Sequence, residues 1–168
     1  LPDDVVKKNR ADQQLRLHEY LNNMPIMQLV IDYVEADDVV SYVCQHKKYN
    51  EYTKIIVSSD KDFFQLCKDD TVVIWRPIQK EFINRGILVN KHKIHPNNYA
   101  LARAIDGDKS DNLDGVPRVG MKTIQSAFPF LDEAKAYSCD DLLAHCKMQT
   151  KQKTIHKKLI EYQDRVKS

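Results

Sequence analysis

Seven carboxylates fall in three short stretches whose spacing could hold cations. VEADD carries Glu35, Asp37 and Asp38, SSDKD carries Asp60 and Asp62, and GDKSDN carries Asp108 and Asp111. Brought together, so many like charges would repel and raise one another's pKa values, and hard divalent cations would relieve that repulsion. An all-oxygen ligand set selects Mg²⁺ or Mn²⁺ over zinc. Two such ions about 4 Å apart suit phosphodiester hydrolysis, one generating hydroxide and the other stabilising charge on the leaving oxygen. Each stretch alone has a plainer reading. The first could cap a helix, the second could be turn residues, and the third could be an Asx-rich loop. GDKSDNLDG lacks the distal Glu that an EF-hand requires. The plainer readings do not explain why all three occur in this order.

Directly after the third stretch comes GVPRVGMKTI, Gly115–Ile124. A glycine-bounded turn between short helices frees backbone N–H groups to face a phosphate, and Lys122 adds a point charge. Gly115, Val116, Arg118, Gly120, Lys122 and Thr123 therefore form a candidate helix–hairpin–helix that grips a nucleic-acid backbone without reading bases. An ordinary turn between two helices is the alternative.

The elements that must position these residues follow an α/β pattern. Residues 3–23 predict a helix stopped by Pro25, and PIMQLVID predicts a buried strand. EADDVVSYVCQHKKY predicts a helix with acids first and bases last, as the helix dipole favours. KIIVSS reads as a strand covered on both faces, DKDFFQLCK as a short helix, and TVVIWRP with QKEFINRG as an edge hairpin. Ligands in such sheets sit beyond the carboxyl ends of the strands, where the first two acidic stretches fall. The expected fold is α/β, a partial parallel-type sheet with helices over residues 1–90. A helical DNA-binding region carrying the helix–hairpin–helix follows over 91–168.

Composition agrees with a globular protein: 42% apolar and 30% charged residues, with a formal net charge of +2. No apolar run approaches the roughly 20 residues that a membrane-spanning helix needs, so no membrane role is expected. Basic residues dominate from Lys147 onward, with Lys151, Lys153, Lys157, Lys158, Arg165 and Lys167 meeting few acids. An acidic pocket beside a basic flank fits a protein that holds cations and grips a polyanion, although a solvated helix would also carry such a charge run. The four cysteines form no CxxC pair and read as reduced thiols. His92 and His95 have no second ligand pair, so a zinc site is not expected there.

VEADD, SSDKDFFQL and GDKSDNLDGVPRVGMKT, in that order, resemble the 5′ nuclease family, which includes flap endonucleases and the 5′ nuclease domains of bacterial DNA polymerase I. MPIMQLVIDYVEADD and VVIWRPIQKEF look most like the ribonuclease H type of T-even-type bacteriophages. The resemblance implies a PIN-like fold and a two-metal 5′-to-3′ exonuclease and flap endonuclease acting on branched or primer-bearing DNA and RNA–DNA hybrid during replication. It implies that Glu35, Asp37, Asp38 and Asp60 serve mainly the nucleophile-side Mg²⁺, with Mn²⁺ as a substitute, and that Asp62, Asp108 and Asp111 serve the second ion. A K⁺ ion at the hairpin, replication proteins as partners, a monomeric state and the cytoplasm of an infected bacterial host are further implications. The family's early metal-binding strand and helical arch have no counterpart in this sequence, and Asp3 and Asp4 are not assigned their roles. A piece of a longer enzyme is therefore expected, the alternative being a catalytically incomplete module that binds branched DNA.

Overall fold

The computed structural model describes residues 2–68, 70–109, 111–151 and 153–167, and the side chains of Arg165 and Lys167 in the basic stretch lie outside what is described. The chain divides into two compact units, Leu1–Asp38 and Val39–Ser168.

In the first unit, α1 (Asp3–Asn22) buries none of its residues. The expected strand over PIMQLVID does not form. Residues 26–31 have no regular secondary structure, and Met27 and Val30 are more than four-fifths exposed. β-branched side chains favour a strand only where a neighbouring strand accepts its hydrogen bonds and a core accepts its face. Among the described residues no strand pairs with this segment. Its local bonds run to α1 instead, where Gln28 Nε2 donates to Asn22 Oδ1 at 2.7 Å and Gln28 Oε1 meets His18 Nδ1 at 2.9 Å. Asp37 and Asp38 open α2 (Ala36–Gln45).

The second unit contains a three-stranded sheet in the order β1–β2–β3. β1 (Lys54–Val57) runs parallel to β2 (Val72–Arg76), and β2 turns back antiparallel to β3 (Glu81–Ile83). The expected hairpin is thus present, with Trp75 opposite Phe82 and their rings 4.6 Å apart. Register places Ile56, Ile74 and Ile83 in one row across the sheet, all buried. The expectation that both faces of β1 are covered fails: Ile55 and Val57 are 60% and 67% exposed. A single face suffices here because the buried row packs into one cluster shared with the helices.

Those helices are α3 (Arg85–His92), α4 (Tyr99–Asp106), α5 (Met121–Ala127), α6 (Cys139–Met148), α7 (Thr154–Glu161) and α8 (Gln163–Lys167). Asn84 caps α3 by accepting from Ile87 N at 2.9 Å. Ser138 and Asp141 form a capping box at α6. Between them Asn98, fully buried, spends its amide on the carbonyls of Leu131, Glu133 and Lys135 and accepts from Tyr137 N. It thereby fixes the loop before α6. The same hydrophobic cluster runs from Cys44 through Ile74, Leu88, Ile105 and Phe128 to Leu159. No helix among the described residues is long and apolar enough to cross a membrane.

Candidate metal centre and nucleic-acid interface

β1 delivers the second acidic stretch. After Val57 the chain turns on two side-chain acceptors: Ser58 Oγ takes Asp60 N at 3.1 Å, and Asp60 Oδ1 takes Asp62 N at 2.9 Å. Asp62 then opens the short helix expected here, a 3₁₀ helix over Asp62–Leu66. Phe64 and Leu66 on that turn are buried and anchor it. Asp60 thus spends Oδ1 on the local turn, while Asp62 projects away from it.

α4 delivers the third stretch. Gly107 ends the helix at φ +80°, a conformation that glycine adopts at little cost. Asp108 and Leu113 then exchange backbone hydrogen bonds at 2.9 and 2.7 Å, closing a tight loop around Asp111. One ligand oxygen from each of Asp62, Asp108 and Asp111 lies within 4.8 Å of the others. The three line a cleft of about 450 Å³ with Arg103, Asn112 and Leu113. Three hard oxygens at that spacing fit a divalent cation, since oxygens bound at 2.0–2.6 Å to one ion lie no more than about 5 Å apart.

Arg103, which belongs to none of the three acidic stretches, stands inside this group. Its Nε donates to Asp62 Oδ1 at 3.1 Å, one terminal nitrogen donates to Gly107 O at 3.1 Å, and the other pairs with Asp108. Asp106 is a further neighbour at 3.7 Å. Burial works against the guanidinium charge, but the bond to Asp62 and the surrounding carboxylates outweigh it and hold the pKa above its ordinary value. A signal was present in the sequence, an Arg in the last turn of a helix that leads into an acidic loop. Nothing in the spacing, however, tied it to Asp62.

Of the seven candidate carboxylates, the structure groups Asp62, Asp108 and Asp111, and Asp60 stands outside that group. Glu35, Asp37 and Asp38 are exposed and belong to the first unit. Within it, Asp37 Oδ1 accepts from Asp38 N at 3.0 Å, a helix-start contact of the plainer kind. That this cluster joins the other carboxylates is a proposal.

The hairpin is continuous with the acidic loop. A Cβ on Gly115 would meet Asp106 C at 2.4 Å and Gly107 N at 2.5 Å, so only glycine allows this crossing. Val116 N then donates to Ile105 O at 2.8 Å. Val119 N donates to Val116 O at 3.1 Å, and Arg118 has φ +59°. Proline followed by a positive φ marks a type II turn. Val116 and Val119 are buried as its feet, leaving Pro117 and Arg118 exposed at the tip. Gly120 starts α5, on which Lys122 and Thr123 are exposed. The turn thus offers an outward cation on a rigid base, as phosphate contact requires.

A profile of the family described as "5'-3' exonuclease, N-terminal resolvase-like domain" matches residues 6–95. The chain is 32% identical over 124 residues to a 5'-3' exonuclease of Buchnera aphidicola subsp. Acyrthosiphon pisum, covering 70% of this chain and 43% of that protein. It is 30% identical over 139 residues to the thermostable DNA polymerase I of Thermus aquaticus, covering 77% and 16% respectively. Among solved structures it resembles the bacteriophage T5 5'-exonuclease with bound zinc, at a TM-score of 0.73 and 20% identity, over 99% of this chain and 59% of that one. A T5 flap endonuclease in a pseudo-enzyme-product complex with DNA and metal ions gives the same TM-score at 19% identity, with the same coverage. These structural likenesses establish the fold. The chain spans less than half the length of either of these two relatives.

Proposed function

This chain belongs to the 5′-3′ exonuclease family, and on that premise we propose that it is the metal-holding and duplex-gripping portion of a divalent-metal-dependent 5′ nuclease. The observation that carries the reading is the gathering of Asp62, Asp108 and Asp111 from two separate elements around one cleft. Carboxylates of like charge at such spacing repel one another, and a divalent cation would relieve that repulsion beyond the single charge that Arg103 supplies.

In this reading Asp62, Asp108 and Asp111 hold one Mg²⁺, with Mn²⁺ as a substitute. Glu35, Asp37, Asp38 and Asp60 contribute to a second ion. Bound Mg²⁺ supplies positive charge against the phosphate being cleaved and lowers the pKa of water. Arg103, through its bonds to Asp62 and Asp108, holds both carboxylates aimed into the cleft. The hairpin, through Gly115, Val116, Arg118, Gly120, Lys122 and Thr123, holds the duplex backbone and sets its distance from the carboxylates through the Gly107–Gly115 crossing. A K⁺ ion at the hairpin, branched or RNA-primed DNA as substrate, replication proteins as partners, a monomeric state and a location in the cytoplasm of a bacterial host belong to the same reading. It draws support from polymerase I among the relatives and from DNA in a related structure's complex.

The test is cleavage of a 5′-labelled flap duplex by this chain in Mg²⁺ and in EDTA. Short products only with Mg²⁺ are the expected result. Duplex binding without cleavage would favour the second reading, a catalytically incomplete module. The exposed apolar run at residues 26–31 is the observation on that side, because these strand-type residues pair with no strand among the described residues. Neither binding nor cleavage would remove both readings.

A further inference from the structure

α5 and α7 border a groove of about 440 Å³ on the hairpin side of the second unit. Lys122, Thr123 and Ser126 line it from α5, and Lys153 and Thr154 line it from the start of α7. Two ammonium groups and three hydroxyl-bearing residues thus share one depression, with no carboxylate among its lining residues. The two lysines come from different helices and are exposed, and neither has an ion-pair partner among the described residues. Two ammonium groups and hydroxyls converging on one groove free of carboxylates match the charge and the donor needs of a phosphate.

The α7 side of the groove is built on buried structure. Ile155, His156 and Leu159 are buried. His156 Nδ1 accepts from Lys153 N at 3.4 Å, and His156 N donates to Lys153 O at 3.0 Å. The backbone that carries Lys153 is therefore held from beneath. One turn further on, Lys158 Nζ donates to Pro117 O at 2.5 Å, tying α7 to the tip of the hairpin. Groove and hairpin form one basic surface: Arg118 at the tip, Lys122 next along the chain, and Lys153 across from it.

We propose that this groove is a second phosphate subsite, in which Lys122 and Lys153 together take one backbone phosphate of a nucleic-acid duplex beyond the one held at the turn. Thr123, Ser126 and Thr154 donate to its oxygens. The subsite rests on the duplex-gripping reading above and extends it onto α7. It reads no bases, so it adds affinity and fixes the path of the duplex past the hairpin.

The test is fluorescence anisotropy of the full chain with a labelled duplex in EDTA, over a range of salt concentrations. Lys153→Ala is expected to weaken binding roughly threefold or more and to reduce the slope of log Kd against log salt by about one. Lys153→Arg should restore both, and the melting temperature should not move. Lys122→Ala combined with Lys153→Ala should lose less than the product of the single losses, because one phosphate is shared. Lys47→Ala, on a turn that does not line the groove, serves as the control for net charge. If Arg118→Ala weakens binding while Lys153→Ala tracks Lys47→Ala, the subsite is overturned and the hairpin reading stands. Fully multiplicative losses would overturn the shared phosphate. A wild-type chain that fails to bind duplex would overturn subsite and hairpin reading together.

Discussion

Arg103 and Asp62 are 41 residues apart in the chain, and Nε of the first donates to Oδ1 of the second at 3.1 Å. The same guanidinium pairs with Asp108 and bonds Gly107 O, so one cation joins both acidic segments of the cleft. It satisfies oxygens that a divalent ion would also need, and so supports the ligand geometry while competing for the ligand charge.

Replacing that cation separates the two effects. Without metal, Arg103→Gln should lower stability by about 1–2 kcal/mol, the range for charged hydrogen bonds at a partly exposed site. With Mn²⁺ its melting temperature should rise by more than the wild-type increment, because the competing charge is gone. Thermal melts with and without Mn²⁺ check both, and an equal increment in the two proteins would show that guanidinium and ion do not share ligands.

Asp62→Asn should abolish Mg²⁺-dependent cleavage of a flap duplex and leave duplex binding intact, since the substitution keeps the shape and removes the ligand charge. Cleavage at an undiminished rate would take Asp62 out of the metal centre.

The two hairpin glycines should behave differently. Gly115→Ala places a Cβ 2.4 Å from the Asp106 carbonyl, a backbone clash with no flexible partner to yield. A loss of roughly 2–4 kcal/mol is expected in urea unfolding. At Gly120 the nearest atom is a side-chain oxygen at 3.7 Å, and Gly120→Ala should cost under about 1 kcal/mol. Equal losses would contradict the close crossing at Gly115.

Arg118 sits at φ +59°, where a side chain is strained. Arg118→Gly should raise stability by about 0.5–1 kcal/mol while weakening duplex binding and flattening its salt dependence. A variant both more stable and unimpaired in binding would remove Arg118 from the interface.

Three histidines set a pH dependence. Burial lowers the pKa of His156, His92 and His95, aided by His145 and Lys153 for the first, Lys91 for the second and Arg85 for the third. A base with a depressed folded pKa prefers to fold neutral, so the unfolded chain takes up protons first on acidification. Stability should be full above the unfolded value of about 6.5 and fall as pH drops below it. Urea unfolding at pH 7.5 and 5.5 measures the fall, which should be smaller in His156→Gln. A flat profile over that interval would show that the rings protonate without cost.

Much of the local structure was legible in the sequence because its causes are local. Acids at the start of α2, the alternation around β3 that pairs it with β2 as a hairpin, and the glycine-bounded turn each follow from a few neighbouring residues. The segment PIMQLVID misled because strand propensity is realised only against another strand, and no pattern within eight residues reports whether one is there. The exposed outer face of β1 was missed for the same reason, since an apolar run records what a strand could bury rather than what covers it.

By itself, then, the sequence determined the ligand chemistry: carboxylates in three ordered stretches, a glycine turn, and lysines following it. The tertiary structure decided which of them meet. It brought Asp62 to Asp108 and Asp111, left Asp60 to its own turn, placed Arg103 among the ligands, and set Lys153 across from Lys122. Those meetings depend on how the 3₁₀ turn after β1 packs on α4 and how α7 packs on α5. Contacts between residues tens of positions apart are fixed by the shared core, and no local spacing encodes them.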